Sequence, residues 1–566
     1  TLSASFSSVI MTAIHSRNVR AAGVIALAIS VASTASAETY NEQYRPQYHF
    51  TPATNWMNDP NGLVYHKGNY HLFFQHNPTG DIWGNMSWGH ALSKDLMHWD
   101  EQPLALSAFD SPAGSLKEFY FSGSAVTDTK RTSGWGSPRN PPLVAIYTSN
   151  YPENVTLPNG RFIRAETQAQ SIAYSVDDGL TWNQYEGNPV IAEPPPQYAD
   201  EWKNFRDPFV FWHEPQKHWV MVLAISLQHK LLFYTSNDLK KWVHVGEFGP
   251  VNAVGGIWEC PSLTQFYVDD RSSNPKWVLM LGLNPGGPAL PQGSGTQYLV
   301  GSFNGTTFVP DADTTRNPAA DRNATGPDST VSPEANWADW GPDYYAAVPW
   351  NGLPTNEHVT IGWMNDWAYA TQIPTSPWRS AMSIPRKLSL KTIKGKVQLL
   401  QQPHLFLDKL ESDRPLYQRS WKRLQSGNST LPFKTKTFDL ELTFSAGKKA
   451  SRVGLDLQTG VDGAGTVIGY DFSTEQMFLD RTASGNTTFN SLFPGIYYAP
   501  LSANKNGQVK LRVLLDWSSV EVFGGQGEST ITAQIFPLTP DFEVKLFSEG
   551  EIKDVKMNVR SVRSIW

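Results

Sequence analysis

Beyond about residue 400 the chain alternates apolar and polar side chains with a period of two. FDLELTF (438–444) does so at every position, and VGLDLQ and VKLRVLLDW repeat the theme between turn signals such as Gly460, DGAG and SANKNG. Half-buried strands of this kind predict an antiparallel β-sandwich, with QQPHLFLDKLES as the connection ahead of it. Upstream, strand-like stretches such as SIAY and LLFYT each run into the same short pattern: a serine, an Asp or Asn two residues on, then an aromatic. SKDLMHW from Ser93, SVDDGLTW from Ser175, SNDLKKW from Ser236 and the degenerate SFNGTTF from Ser302 carry it.

The physical unit behind that repeat is a hairpin turn set by Asp or Asn, with an aromatic packed back on the sheet. Spacings of 82, 61 and 66 residues between the four serines fit four-stranded blades with long connections. They predict a β-propeller, its fifth blade supplied by the region from DYYAAV through IGWMNDW. The expected fold is therefore all-β: a five-bladed propeller over residues 38–395, a linker at 396–412 and a sandwich over 413–566. PDADTTRNPAADRNATGPDSTVSPEANW (310–337) reads as an exposed loop within the propeller.

Composition narrows the address and the partners. The 566 residues carry a formal charge of -6 without a run of five like charges, which argues against a nucleic-acid groove or an anionic membrane surface and for an uncharged substrate. The 21 Trp, 21 Tyr and 28 Phe suit sheet cores and equally suit stacking on sugar faces. From Met11 a basic segment with Arg17 and Arg20 precedes AAGVIALAISVA and an A-x-A site at Ala35–Ala37, so residues 1–37 read as a leader with a secretory signal. Sequons at Asn85, Asn154, Asn304, Asn323, Asn428 and Asn486 agree with a secreted chain bearing N-glycans. Cys260 is the only cysteine, which rules out internal disulfides and reads as a small buried hydrophobe.

Candidate chemistry is carried by three acids. Asp59 in NWMNDPNG, Asp207 in NFRDPFVFW and Glu259 in GGIWECPSL each precede a Ser-x-Asp or Ser-x-Asn turn by roughly 29 to 43 residues, as innermost propeller strands would, and those strands surround the channel. Each also has a plainer reading: Asp59 bonding its own turn, Asp207 pairing with Arg206, Glu259 on an exposed strand. Other chemistries lack support. His71 and His76 are an odd number apart in a strand and face opposite ways, so no metal site is expected. PGGPALPQGSG lacks the phosphate-loop lysine, and no G-x-S-x-G elbow exists. Paired-carboxylate hydrolysis of a neutral sugar remains, with no cofactor.

WMNDPNG, FSGS (121–124), FRDP and WECP, in that order and followed by a sandwich, resemble glycoside hydrolase family 32, the invertases, inulinases and fructan hydrolases. The likeness spans almost the whole mature chain and lies nearest the secreted fungal β-fructofuranosidases and exo-inulinases. The resemblance implies that Asp59 is a nucleophile attacking the anomeric carbon of a terminal β-fructofuranosyl unit, that Glu259 is the acid/base, and that Asp207, kept ionised by Arg206, holds fructosyl hydroxyls. It further implies that Asn58, Gln75, Trp83, Ser122, Arg206 and Trp363 line the fructose pocket, with sucrose and short fructans as substrates. Two alternatives stay open: a fructosyltransferase building fructo-oligosaccharides from sucrose, and a sugar-binding propeller without chemistry.

Overall fold

The computed structural model describes residues 40–290, 292–315, 335–354, 357–459, 463–539 and 541–566. The leader, Asn323 and most of the 310–337 connection lie outside the described residues. Five antiparallel sheets are followed by two six-stranded ones. The innermost strands of the five are Asn55–His66, Phe119–Thr127, Phe205–His213, Ile257–Tyr267 and Tyr345–Pro349. Each inner strand packs on the next and the fifth packs on the first, which closes the ring of a five-bladed propeller. A short parallel pairing of Trp378–Arg379 with Asn55–Trp56 fastens chain that follows the fifth blade's second strand to the first blade.

The sequence repeat is the turn between the third and outer strands of the first four blades. Asp95 Oδ1 accepts the amides of Met97 and His98 at 3.0 and 2.9 Å, and Asp238 Oδ1 those of Lys240 and Lys241 at 2.9 and 2.8 Å. Asn304 does the same for Thr306 and Thr307 in the fourth blade. The third residue after each serine has a positive φ: Leu96 63°, Asp178 63°, Leu239 64° and Gly305 101°. A side-chain acceptor thus holds a backbone that leucine would not choose unaided.

One boundary differs from the sequence expectation. Lys396–Pro403, read above as the start of the linker, pairs along its whole length with Arg386–Ile393 as the outer strand of the fifth blade. NWMNDPNG lies, as its spacing from the first repeat predicts, in the inner strand Asn55–His66, whose register slips twice, between Met57 and Pro60 and between Asn61 and Val64. Gly62 does supply the positive φ, 54°, and a side chain there would strike Phe73 and Trp88.

The sandwich begins at Tyr417–Leu424 and packs two sheets over a core of Leu, Val, Ile and Phe. Its junction with the propeller is ionic and fully buried. Arg386 of the fifth blade bridges Asp339 at 2.9 Å and Glu521 of the sandwich at 2.6 Å, while Arg481 of the sandwich meets Asp343 at 2.6 Å. His49, on the chain entering the first blade, sits between Asp516 (2.8 Å) and Glu521 (3.0 Å). Charges this buried are tolerable only with their partners in place, so the junction specifies one docking geometry.

Candidate active site

All five inner strands slip register at one level, between Met57 and Pro60, Tyr120 and Gly123, Arg206 and Phe209, Glu259 and Ser262, and Tyr345 and Val348. A bulge leaves residues unpaired in the ladder and re-aims their side chains. The residues released include Asn58 and Asp59, Ser122, Asp207, Cys260 and Ala346, flanked by Arg206, Glu259 and Tyr345. Asp207, Cys260 and Ala346 have positive φ, 65°, 47° and 49°. Backbone strain at three of five equivalent positions is where a fold spends stability on geometry.

Asp59 is buried and makes none of the local turn bonds expected of an Asp-Pro dipeptide; Asn61 instead donates to the Asp59 carbonyl at 2.7 Å. Its carboxylate receives Ser122 Oγ at 2.6 Å and Asn58 Nδ2 at 3.1 Å, with Cys260 Sγ 3.4 Å away. Asn58 is itself oriented by Trp56 Nε1, 2.7 Å from its Oδ1. Burial raises the Asp59 pKa and nearby Glu259 adds to the rise, while the Ser122, Asn58 and Cys260 donors stabilise the anion.

Glu259 keeps one oxygen on Arg206, whose Nη2 and Nε lie 3.0 and 3.3 Å from Oε1, and the other on Tyr345, whose hydroxyl donates to Oε2 at 2.6 Å. Asp207 Oδ2 receives the Cys260 amide at 2.9 Å, and Thr148 Oγ1 accepts the Asp207 amide at 3.0 Å. Arg206 approaches Asp207 only to 3.9 Å. The expectation that Arg206 keeps Asp207 ionised is thus revised: the guanidinium is spent on Glu259 and on Gln168, 3.2 Å away. Burial pushes the Asp207 carboxyl up to about 7, with Glu259 and Asp59 adding to the rise and Arg206 opposing it.

The remaining residues divide into a lining and a support. Gln75 is buried and donates to the Tyr120 carbonyl at 2.9 Å, and Trp83 stands 43% exposed at the rim, edge-on to Phe121. Trp363 does not face the pocket as expected. It is wholly buried, donates to the Met57 carbonyl at 3.1 Å and forms a cluster with Trp56 and Trp367 behind Asn58. Sequence reasoning missed Tyr345, Gln168 and Thr148, which sit in ordinary strand sequence with nothing to mark them. It also took Cys260 for a plain core residue, although its place beside Glu259 was the available signal. Among the described residues no group of acids, histidines and cysteine is arranged to hold a metal.

A propeller that gathers carboxylates from its first, third and fourth blades at its inner ring has the architecture of a glycoside hydrolase. The family comparison makes the class specific: residues 49–403 match the glycosyl hydrolases family 32 N-terminal domain and residues 407–562 the family's C-terminal domain, and the chain belongs to that family. It is 52% identical to the extracellular exo-inulinase of Aspergillus awamori, over 94% of this chain and 96% of that protein. Identity with the levanase of Bacillus subtilis strain 168 is 41%, over 94% of this chain and 73% of the levanase. The crystal structure of the A. awamori exo-inulinase superposes with a TM-score of 0.87, covering 93% of this chain and all of that one. A β-fructofuranosidase from Schwanniomyces occidentalis, in complex with fructosyl-erythritol, gives 0.76 at 30% identity, covering 92% and 98%.

Proposed function

We propose that this chain is a secreted, exo-acting, retaining fructosidase that removes terminal β-D-fructofuranosyl units from sucrose and short fructans. The observation that carries the reading is the pairing of Asp59, fixed by Ser122 and Asn58, with Glu259, fixed by Arg206 and Tyr345, across one pocket. Asp59 attacks the anomeric carbon; its donors hold the attacking oxygen in place and limit the rotamers it must lose. Glu259 protonates the departing glycosidic oxygen and then deprotonates the incoming water. Asp207 grips fructosyl hydroxyls, and Asn58, Gln75, Ser122 and Arg206 complete the polar lining, with Trp83 closing the rim. The extracellular naming of the Aspergillus relatives and the leader motif support secretion. N-glycans belong on Asn154, Asn304 and Asn428, all exposed.

Two-step displacement at Asp59 retains configuration, so NMR during early turnover of sucrose should show β-fructofuranose before it mutarotates. First appearance of the α anomer would refute the nucleophile. From inulin, fructose should be the sole early product, and early inulotriose would refute the exo pocket.

A further inference from the structure

Two features are left without a part in this chemistry: the glycine- and proline-rich PGGPALPQGSG segment and the acid in IGWMNDW. They meet. Asp366 is fully buried, and among the described residues it takes part in no ion pair. Its Oδ1 accepts the Ala368 amide at 2.8 Å, within its own turn, and its Oδ2 accepts the Ser294 amide at 3.1 Å, 72 residues away in sequence. Ser294 Oγ in turn accepts the Trp367 amide at 3.2 Å. Gly293 lies so close that a Cβ there would stand 2.4 Å from Asp366 Oδ2.

The loop held this way starts at Asn284, which pairs with Ile257, two residues before Glu259. Its limbs are tied together by the Gly286 and Gly287 amides, both donating to the Gly293 carbonyl. One limb lies against Gly256, where an added Cβ would meet the Pro285 carbonyl at 2.1 Å. The other is fixed by Asp366, and Trp367 beside it packs on Trp56, which orients Asn58. The loop therefore leaves the fourth blade at the end of the ladder next to Glu259, the acid that faces a departing group, while Ala289 and Leu290 pack on the sandwich and the junction.

We propose that Asp366 is a positioning residue that fastens the 285–290 and 292–294 limbs as the leaving-group wall of the pocket, locking the seat for the glucosyl or penultimate fructosyl unit to the tryptophan cluster behind Asn58 and Asp59. The leaving-group role rests on the fructosidase reading above; the latch itself does not. Burial and the field of Asp343 raise the Asp366 pKa to about 7, and above that pH the carboxylate suits the latch because both oxygens accept, one within the turn and one across to the loop. An amide keeps the first bond and sets N–H against N–H at the second.

The test is Asp366→Asn in the full chain, read by hydrogen exchange and by kinetics. Opening of the latch should speed exchange of the Ser294 amide at least about tenfold while strand amides of the inner ring keep their protection. The kcat/KM for sucrose and 1-kestose should fall about 5- to 30-fold, mainly through KM, whereas fructosyl fluoride, whose leaving group reaches no wall, should stay within about twofold. Gly293→Ala, which has no positive φ to oppose it, should give the same substrate pattern from the other side of the contact. The double variant should fall short of the product of the two effects, as for residues sharing one interaction. Unchanged Ser294 exchange in both single variants would overturn the latch. An equal loss on fluoride and sucrose would overturn the leaving-group role. Should the wild-type enzyme turn over none of the three, the fructosidase reading fails while the exchange result still decides the latch.

Discussion

Replacing Asp207 by asparagine should make the protein more stable as it makes the enzyme worse, and the gain should depend on pH in one direction only. The carboxyl is pushed from 3.8 to about 7, burial first and the fields of Glu259 and Asp59 after it. A raised carboxylate pKa means that the folded state resists the anion. Below about pH 3.8 both folded and unfolded chains carry the proton, and Asp207 costs nothing electrostatically. Between there and about 7 the unfolded chain ionises first, and the penalty grows with pH until the folded carboxyl ionises too. A rise of that size sets a ceiling of roughly 4 kcal/mol above pH 7, and a penalty of roughly 1.6 kcal/mol at pH 5.

Asparagine escapes that penalty while its carbonyl still accepts the Cys260 amide. For a chain of this length the entropy of unfolding makes 1 kcal/mol worth about 1 °C. Differential scanning calorimetry of Asp207→Asn beside wild type should therefore show coincident transitions near pH 3.5, a variant about 1.5 °C higher at pH 5, and about 4 °C higher at pH 7.5. Turnover of sucrose should drop roughly 10²- to 10³-fold as grip on the fructosyl hydroxyls is lost. A difference in melting temperature that stays flat with pH, or a variant less stable at pH 7.5, would refute the reasoning.

Three further outcomes follow from particular contacts. Glu259→Ala should collapse fructosyl transfer from sucrose but spare transfer from fructosyl fluoride, which needs no proton donor, and azide should speed release of the trapped ester; pre-steady-state rates on both substrates check this. Tyr345→Phe removes the donor to Glu259 Oε2 and should lower kcat on sucrose about tenfold while leaving KM within twofold, because the bond steadies the acid rather than the sugar. At the domain junction, burial opposes charge on His49 but Asp516 and Glu521 outweigh it and raise its pKa from 6.5 to about 9. The stabilisation it supplies is fully present below pH 6.5 and is lost as pH rises through 9, at most about 3 kcal/mol, so the melting temperature of wild type should fall more steeply over that range than that of His49→Gln.

Much of the fold was legible because its turns are written in local chemistry. Asp95, Asp177, Asp238 and Asn304 accept nearby backbone amides over two to four residues, so the blade repeat shows in short windows of sequence. The three carboxylates were legible for a related reason: Asp59, Asp207 and Glu259 stand among aromatics, Gly and Pro, where an unpaired acid is hard to justify. What stayed hidden depends on contacts across the ring. Tyr345 and Arg206 meet Glu259 over sequence separations of 86 and 53 residues, and no local pattern distinguishes a tyrosine in YYAAV that serves a carboxylate from one that fills a core. Trp363 failed in the opposite way: a tryptophan in a site motif suggested a sugar platform, but its indole is committed to the Met57 carbonyl. The junction ion pairs were invisible too, since Arg386 and Glu521 lie in alternating strands that read as ordinary wet faces, and Asp339 lies in the irregular chain ahead of Tyr345–Pro349.

The common level of the five bulges explains why the site tolerates so many buried charges. In a regular ladder the inner-strand amides would bond their neighbours and leave none for the acids. The bulges release them: the Cys260 amide turns to Asp207, and the Gly123 amide goes to Asn61, which holds the Asp59 carbonyl. Asp207 and Cys260 accept left-handed backbone as the cost. Each blade thus contributes a displaced pair of positions, and backbone, hydroxyl and guanidinium groups of neighbouring blades bond the acids. Such bonding cannot relax when a sugar replaces water in the pocket, so the field at the anomeric carbon is already in place when the bond breaks. It follows that the geometry belongs to the closed ring: no single blade holds both an acid and the full set of its donors.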